Sequence, residues 1–211
     1  MDTPNSLTAI EAAKRIRAGT LTSEALVASC IERIDAREGT VGAWIQFDRD
    51  LALKQARERD RGPRRGPIHG IPFGVKDIIE TAELPTGYGS PIFDGHQKAS
   101  DAPCGALSLE SGGVLMGKTV STEFASRHPG KTTNPHNPAH TPGGSSSGSG
   151  AAVADGMVPL AFGTQTTGSV IRPAAYCGCI GWKPSYGLIP GYGVKENTRS
   201  FDTVGIYARA L

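Results

Sequence analysis

Two serines in glycine-rich turns carry the most chemical information in this chain. Ser145 stands in Gly143-Gly144-Ser145-Ser146-Ser147-Gly148-Ser149-Gly150, and 24 residues later Ser169 closes Gly163-Thr164-Gln165-Thr166-Thr167-Gly168-Ser169. Glycine lets the backbone approach a bound group closely and adopt positive φ, so successive amide N–H groups can converge on one negatively charged oxygen. A serine held there can attack a carbonyl. A flexible Gly/Ser linker is the competing reading, and the neighbours argue against it. Ala151, Ala152, Val153 and Ala154, then Met157, Val158, Leu160, Ala161 and Phe162, follow almost at once, the pattern of a buried helix and then a strand.

A serine nucleophile needs a base. Gly144-Ser145-Ser146-Ser147-Gly148 has the G-x-S-x-G form of a nucleophile elbow, which requires a histidine downstream. The five histidines, at 69, 96, 128, 136 and 140, all precede Ser145, so that triad cannot be assembled within these 211 residues. Lysine is the alternative. Ile71-Pro72-Phe73-Gly74-Val75-Lys76-Asp77-Ile78-Ile79 reads as a short apolar strand with Lys76 in its middle, and strand alternation puts Gly74, Lys76 and Ile78 on one side. Burial there disfavours the ammonium form and turns the lysine into a candidate general base. The plain alternative is a surface Lys76–Asp77 pair.

Other chemistries fit less well. Gly112-Gly113-Val114-Leu115-Met116-Gly117-Lys118-Thr119 matches G-x-x-x-x-G-K-[ST], yet a phosphate-cradling loop follows its strand, whereas Val114 to Met116 read as the strand itself. Cys30, Cys104, Cys177 and Cys179 have no metal-ligand spacing and read as buried thiols. His136 and His140 are separated by Pro138, which prevents the helix that would put both on one face. Neither metal nor cofactor is expected. Lys+Arg 22 against Asp+Glu 20 leaves a charge of +2, too small for an electrostatic grip on nucleic acid. The cluster Arg57, Arg59, Arg61, Arg64, Arg65 reads as a solvated helix end. No apolar run reaches membrane-spanning length and no export signal opens the chain, so a cytoplasmic location is expected and no membrane association.

The run from Gly143 through Pro173, with Gly74-Val75-Lys76-Asp77 and Gly181-Trp182-Lys183-Pro184-Ser185-Tyr186-Gly187, resembles the amidase signature family of Ser-Ser-Lys amide hydrolases. The resemblance implies Ser169 as nucleophile, Lys76 as base and Ser145 as the relay between them. It further implies that the backbone N–H groups of Thr166, Thr167, Gly168 and Ser169 form an oxyanion hole, and that the Gly144–Ser145 peptide is cis. The chain departs from the common pattern at Gln165, usually aspartate, and at Thr167, usually glycine. Arginine comes one place late, at Arg172. Gln165 with Arg172 is similar to a branch of malonamidase-like and allophanate-hydrolase-like enzymes, in which the arginine faces a substrate carboxylate; a structural partner for a buried carbonyl is the other role open to it.

The elements that must position these residues begin with scaffold. Thr8-Ala9-Ile10-Glu11 has capping-box form and opens a helix that Gly19 ends. A second helix is expected over 22–37, where Leu26, Val27, Cys30, Ile31 and Ile34 form one apolar stripe. Val41 to Phe47 reads as a strand, 48–59 as a charged surface helix and 62–70 as a loop. The expected fold is α/β, a mixed β-sheet flanked by helices on both faces, within one amidase signature domain comprising a helical scaffold (1–60) and a catalytic core segment (61–211). Family members are longer, so the resemblance implies a fold incomplete at the C-terminus and self-association through an exposed sheet edge. The expected function is hydrolysis of a small-molecule carboxylic amide through an acyl-enzyme. The alternatives are a catalytically silent fragment and an amidase-like subunit of a tRNA-dependent amidotransferase.

Overall fold

The computed structural model describes residues 3–210. Six strands form one mixed sheet: β1 (Trp44–Phe47), β2 (Pro72–Lys76), β3 (Val114–Thr119), β4 (Leu160–Gln165), β5 (Ile180–Trp182) and β6 (Thr203–Ala208). Their spatial order is β1-β3-β2-β4-β6-β5. β2 is parallel to both neighbours, β3 and β4, whereas the β1–β3, β4–β6 and β5–β6 pairs are antiparallel. The parallel centre is covered on both faces, and every residue of β2 and β3 is buried, as central strands of parallel sheets require. Period-two alternation splits β3 between two cores: Val114 and Met116 join the larger cluster with Leu26, Val27 and Ala151, and Leu115 joins the smaller one with Phe73, Val75 and Cys104. The helices are α1 (Ala9–Arg17), α2 (Ser23–Val41), α3 (Arg49–Arg61), α4 (Pro103–Glu110), α5 (Ser147–Ala154) and α6 (Ile171–Cys177). The larger cluster takes in residues of α2 and α5 and the smaller takes Cys104 of α4, so helices flank a mixed sheet as expected.

The scaffold helices begin where the capping residues predict. Thr8 and Thr22 accept hydrogen bonds from the backbone N–H groups of Glu11 and Ala25, each at 3.1 Å, and Gly19 has φ 71° beyond α1. α2 outruns its expected end at Arg37 by four residues and stops at Gly42, which takes the left-handed conformation with φ 60°. Two interactions explain the extension. Val41 is fully buried, and the Glu38 carboxylate accepts the backbone N–H groups of Ala43 and Trp44 at 2.9 and 3.0 Å, so the chain turns before the strand begins. β1 is correspondingly only four residues long.

Three further expectations need correction. β2 ends at Lys76, and Ile78 lies beyond it in a turn closed by the Ile79 N–H on the Lys76 carbonyl at 2.9 Å. Arg59 is not solvated: it is 7% exposed, while Arg57 on the open side pairs with Glu24 at 2.7 Å. Cys179 is only half-buried, although Cys30, Cys104 and Cys177 are buried. The 112–119 segment does form the strand β3, with Lys118 donating to the Ile79 carbonyl and, at 2.7 Å, to Thr86 Oγ1. α5 starts within the Gly/Ser run and is buried from Ser147 to Val153. A Cβ on Gly148 would overlap the Ala43 carbonyl and the Val120 backbone N–H, so glycine is what seats this helix against the sheet.

Candidate active site

Lys76 is the last residue of β2 and Gln165 the last of β4, so the two parallel strands deliver both residues to the same edge of the sheet, where α/β proteins place ligand sites. Lys76 has no exposed surface. Its Nζ lies 2.7 Å from Ser145 Oγ and 2.8 Å from Thr164 Oγ1. Burial holds the lysine pKa well below its usual range, and the negative charge of Asp202 offsets this only in part. The surface-pair reading of Lys76 and Asp77 fails, because the buried Asp77 carboxylate instead accepts the backbone N–H groups of Gly87 and Gly89, both at 3.1 Å.

Ser145 sits two residues before α5, in a turn opened by Gly143 at φ 77°, and its peptide bond from Gly144 is cis. The Thr122 N–H donates to the Ser145 carbonyl at 3.0 Å. Ser146 ties this turn to the second serine: its N–H donates to the Ser169 carbonyl at 3.3 Å, and its hydroxyl donates to the Thr164 carbonyl at 3.1 Å. Tyr207 Oη donates to the Ser169 carbonyl at 3.2 Å. Ser169 therefore stands in the turn between β4 and α6 with its backbone fixed from two directions. Its Oγ forms no hydrogen bond among the described residues, and neither do the backbone N–H groups of Thr166, Thr167, Gly168 and Ser169. Four consecutive donors left unused by the fold can receive an anion.

Around this turn the sequence marks Gln165 only as a departure from the family pattern and does not single out Thr164 or Asp202. Gln165 Oε1 accepts the N–H groups of Val170 at 2.9 Å and Ile171 at 3.0 Å, while its Nε2 donates to the Thr167 carbonyl at 3.3 Å; one side chain spans the whole 166–171 turn. Thr164 holds Lys76. Asp202 accepts the Thr166 hydroxyl. Arg172 is exposed, and its Nη1 donates to the Gly144 carbonyl at 3.3 Å. That glycine is half-buried and the contact is exposed, and the guanidinium also lies over Gly168, where a Cβ would come within 2.9 Å of Nη2. A cleft of about 610 Å³ opens beside the site, its walls including Thr164, Thr166, Tyr186, Tyr192, Lys195 and Asp202. His136, one of the pair weighed as metal ligands, contacts the Cys177 carbonyl through Nε2 at 2.7 Å. No helix among the described residues is long and apolar enough to cross a membrane.

A family model described as Amidase matches residues 25–211. A glutamyl-tRNA(Gln) amidotransferase subunit of Chloroflexus aurantiacus is 40% identical over 209 residues, covering 94% of this chain and 43% of that protein. The subunit of the same name from Anaeromyxobacter sp. is 41% identical over 211 residues, 95% of this chain and 43% of that one. Among solved structures, native peptide amidase from Stenotrophomonas maltophilia matches with a TM-score of 0.91 at 37% identity, covering 97% of this chain and 45% of that one. Fatty acid amide hydrolase matches at 0.89 and 29% identity, covering 98% and 39%. The chain thus spans less than half the length of these relatives. With the family match extending over nearly the whole sequence, the chain belongs to the amidase family.

Proposed function

We propose that this chain carries the nucleophile and base of an amide hydrolase, with Ser169 attacking the carbonyl, Ser145 relaying the proton and Lys76 accepting it. The observation that carries the reading is the 2.7 Å contact between the fully buried Lys76 Nζ and Ser145 Oγ. In the neutral amine one N–H donates to Thr164 Oγ1, which turns the lone pair toward the Ser145 hydroxyl. As Ser169 Oγ bonds to the carbonyl carbon, its proton passes to Ser145 and that of Ser145 to Lys76. The tetrahedral oxyanion is received by the free N–H groups of residues 166–169, of which a single well-aimed donor is worth about 3 kcal/mol. The relay run in reverse protonates the departing nitrogen as the C–N bond breaks, and water then releases the acyl group from Ser169 as a carboxylate. The reading calls on no cofactor and no metal.

The test is release of ammonia or amine from a panel of small aliphatic, aromatic and dicarboxylic monoamides by the full chain. Turnover lost in Ser169→Ala supports the reading; equal turnover in Ser169→Ala overturns it. The identity to amidotransferase subunits favours one variant of the same chemistry, in which a partner protein consumes the ammonia. Glutamine hydrolysis that appears only with added partner proteins would support that variant, and glutamine hydrolysis by the chain alone would count against it. Self-association through the sheet edge is a separate proposal, supported by Trp182 of the terminal strand β5, which is 48% exposed; a monomer in analytical ultracentrifugation would rule it out.

A further inference from the structure

Asp202 immediately precedes β6, whose first residue, Thr203, pairs with Gln165. Its carboxylate is fully engaged. Oδ1 accepts the hydroxyl of Thr166, and Oδ2 accepts the backbone N–H groups of Asn197 at 2.5 Å and Thr198 at 2.8 Å. One side chain thereby fastens the first residue of the four-donor turn to the 197–202 loop, which forms a wall of the 610 Å³ cleft. No lysine, arginine or histidine nitrogen lies within 4.0 Å of this carboxylate among the described residues. Thr164, within β4, binds Lys76 Nζ, and Thr166, one residue past the end of β4, binds Asp202. The lysine and the aspartate are thus hydrogen-bonded to two threonines separated by one residue.

We propose that Asp202 is a positioning residue of the hydrolytic site, holding the Thr166 turn in its donor pose and supplying the counter-charge opposite the Lys76 amine. The inference rests on the hydrolytic reading of Lys76, Ser145 and Ser169. Among the other groups around Lys76, Thr164 and Ser145 carry no charge. Asp77 is committed to the Gly87 and Gly89 N–H groups, and Lys118 on β3 points at the Ile79 carbonyl and Thr86. Lys195, Glu196 and Arg199 share the cleft with Asp202. Burial pulls the Lys76 pKa down and Asp202 pulls it part of the way back. Removing the aspartate charge further disfavours the ammonium, so the amine stays unprotonated to lower pH. The acid limb of the rate profile, which reports protonation of the base, then moves to lower pH.

The experiment measures the rate of labelling of the full chain by a fluorophosphonate probe as a function of pH, in the parent and in Asp202→Asn, Asp202→Glu and Thr166→Val. Asp202→Asn should shift the acid limb to lower pH and lower the plateau, and Asp202→Glu should return the limb toward the parent. Thr166→Val, which keeps the charge but cuts the tether, should lower the plateau about tenfold or more, as misplacement of a reacting group does, with the limb unmoved. An Asp202→Asn limb that coincides with the parent's overturns the proposal. If Asp202→Asn does not fold by circular dichroism, Thr166→Val decides, and an unchanged plateau overturns it. Labelling of the parent that is lost in Lys76→Met leaves the hydrolytic reading standing whatever Asp202 does, whereas a parent that never labels removes both.

Discussion

Replacing Gln165 by leucine should disrupt the 166–171 turn that carries the proposed nucleophile Ser169 while leaving the sheet intact. The side chain is 7% exposed, and its Oε1 is the acceptor for two N–H groups, those of Val170 at 2.9 Å and Ile171 at 3.0 Å. Leucine fills a similar volume and accepts neither. Val170 is fully buried, so its unmet N–H costs about 1–3 kcal/mol, while Ile171 is exposed and can turn to water at a cost of about 1 kcal/mol. A loss of about 2–4 kcal/mol falls on the segment that begins α6 and carries Ser169. If it is expressed in the reactive arrangement, at about 1.4 kcal/mol per tenfold, the labelling rate constant of a fluorophosphonate probe drops roughly 30-fold to 1,000-fold. Gln165→Glu keeps the acceptor but loses the Nε2 donor to the Thr167 carbonyl, and it should fall between the parent and Gln165→Leu. A folded Gln165→Leu protein that labels within about twofold of the parent would refute the assignment of this side chain as the organiser of the turn.

Other substitutions separate chemistry from packing. Lys76→Met swaps a buried amine for an apolar chain of similar length; the desolvation relieved offsets the two hydroxyls left unpaired, so the stability to denaturant should change by no more than about 2 kcal/mol while labelling disappears. Gly148→Ala forces a methyl into the Ala43 carbonyl and Val120 backbone and should destabilise by about 3 kcal/mol or more, read as a lower thermal midpoint. Arg172→Ala, which frees the Gly144 carbonyl and clears the space over Gly168, should reduce turnover of acid-bearing amides more than that of neutral ones; equal losses on both would assign the arginine to structure alone. Stability should fall steeply above pH 9. Burial pushes the thiols of Cys30, Cys177 and Cys179 up to about 12 and that of Cys104 to about 11, so the native chain keeps protons that the unfolded chain releases above 9.0. For each raised group, stability is full below 9 and is lost as pH climbs through the folded value, about 3 kcal/mol at pH 11 for Cys30. Lys118, lowered by burial to about 8, and Lys76, also lowered by burial, act in the opposite sense up to 10.5 but are outweighed by four thiols. A denaturant midpoint unchanged from pH 8 to 11 would contradict this.

The parts of the molecule set by local pattern could be read from the chain. The α1 start at Thr8, the buried α5 and the burial of Lys76 follow from capping, from an apolar run after Gly150 and from one lysine in an apolar strand. What escaped depends on contacts between distant segments. α2 runs on to Val41 because the Glu38 carboxylate caps the Ala43 and Trp44 N–H groups and Val41 is buried in the core, and no pattern within 37–41 announces that. Arg59 reads as solvated because its neighbours on α3 are charged, but its side chain is buried, and its backbone carbonyl meets His69 Nε2 at 3.1 Å. Lys76, Ser145 and Ser169 are singled out by motif resemblance, and the first two meet in the structure. The residues supporting them are not singled out, because Thr164 reaches Lys76 only through the β2–β4 register, and Asp202 reaches Thr166 only through the pairing of β4 with β6.

The account rests on a neutral amine drawing a proton through one hydroxyl from another, and the most direct measurement is the site of covalent modification. Peptide mapping by mass spectrometry after treatment with a fluorophosphonate should find a single adduct on Ser169, absent when Lys76 is methionine and strongly reduced when Ser145 is alanine. An adduct on Ser145, or one on Ser169 that forms just as fast without the lysine, would contradict the mechanism.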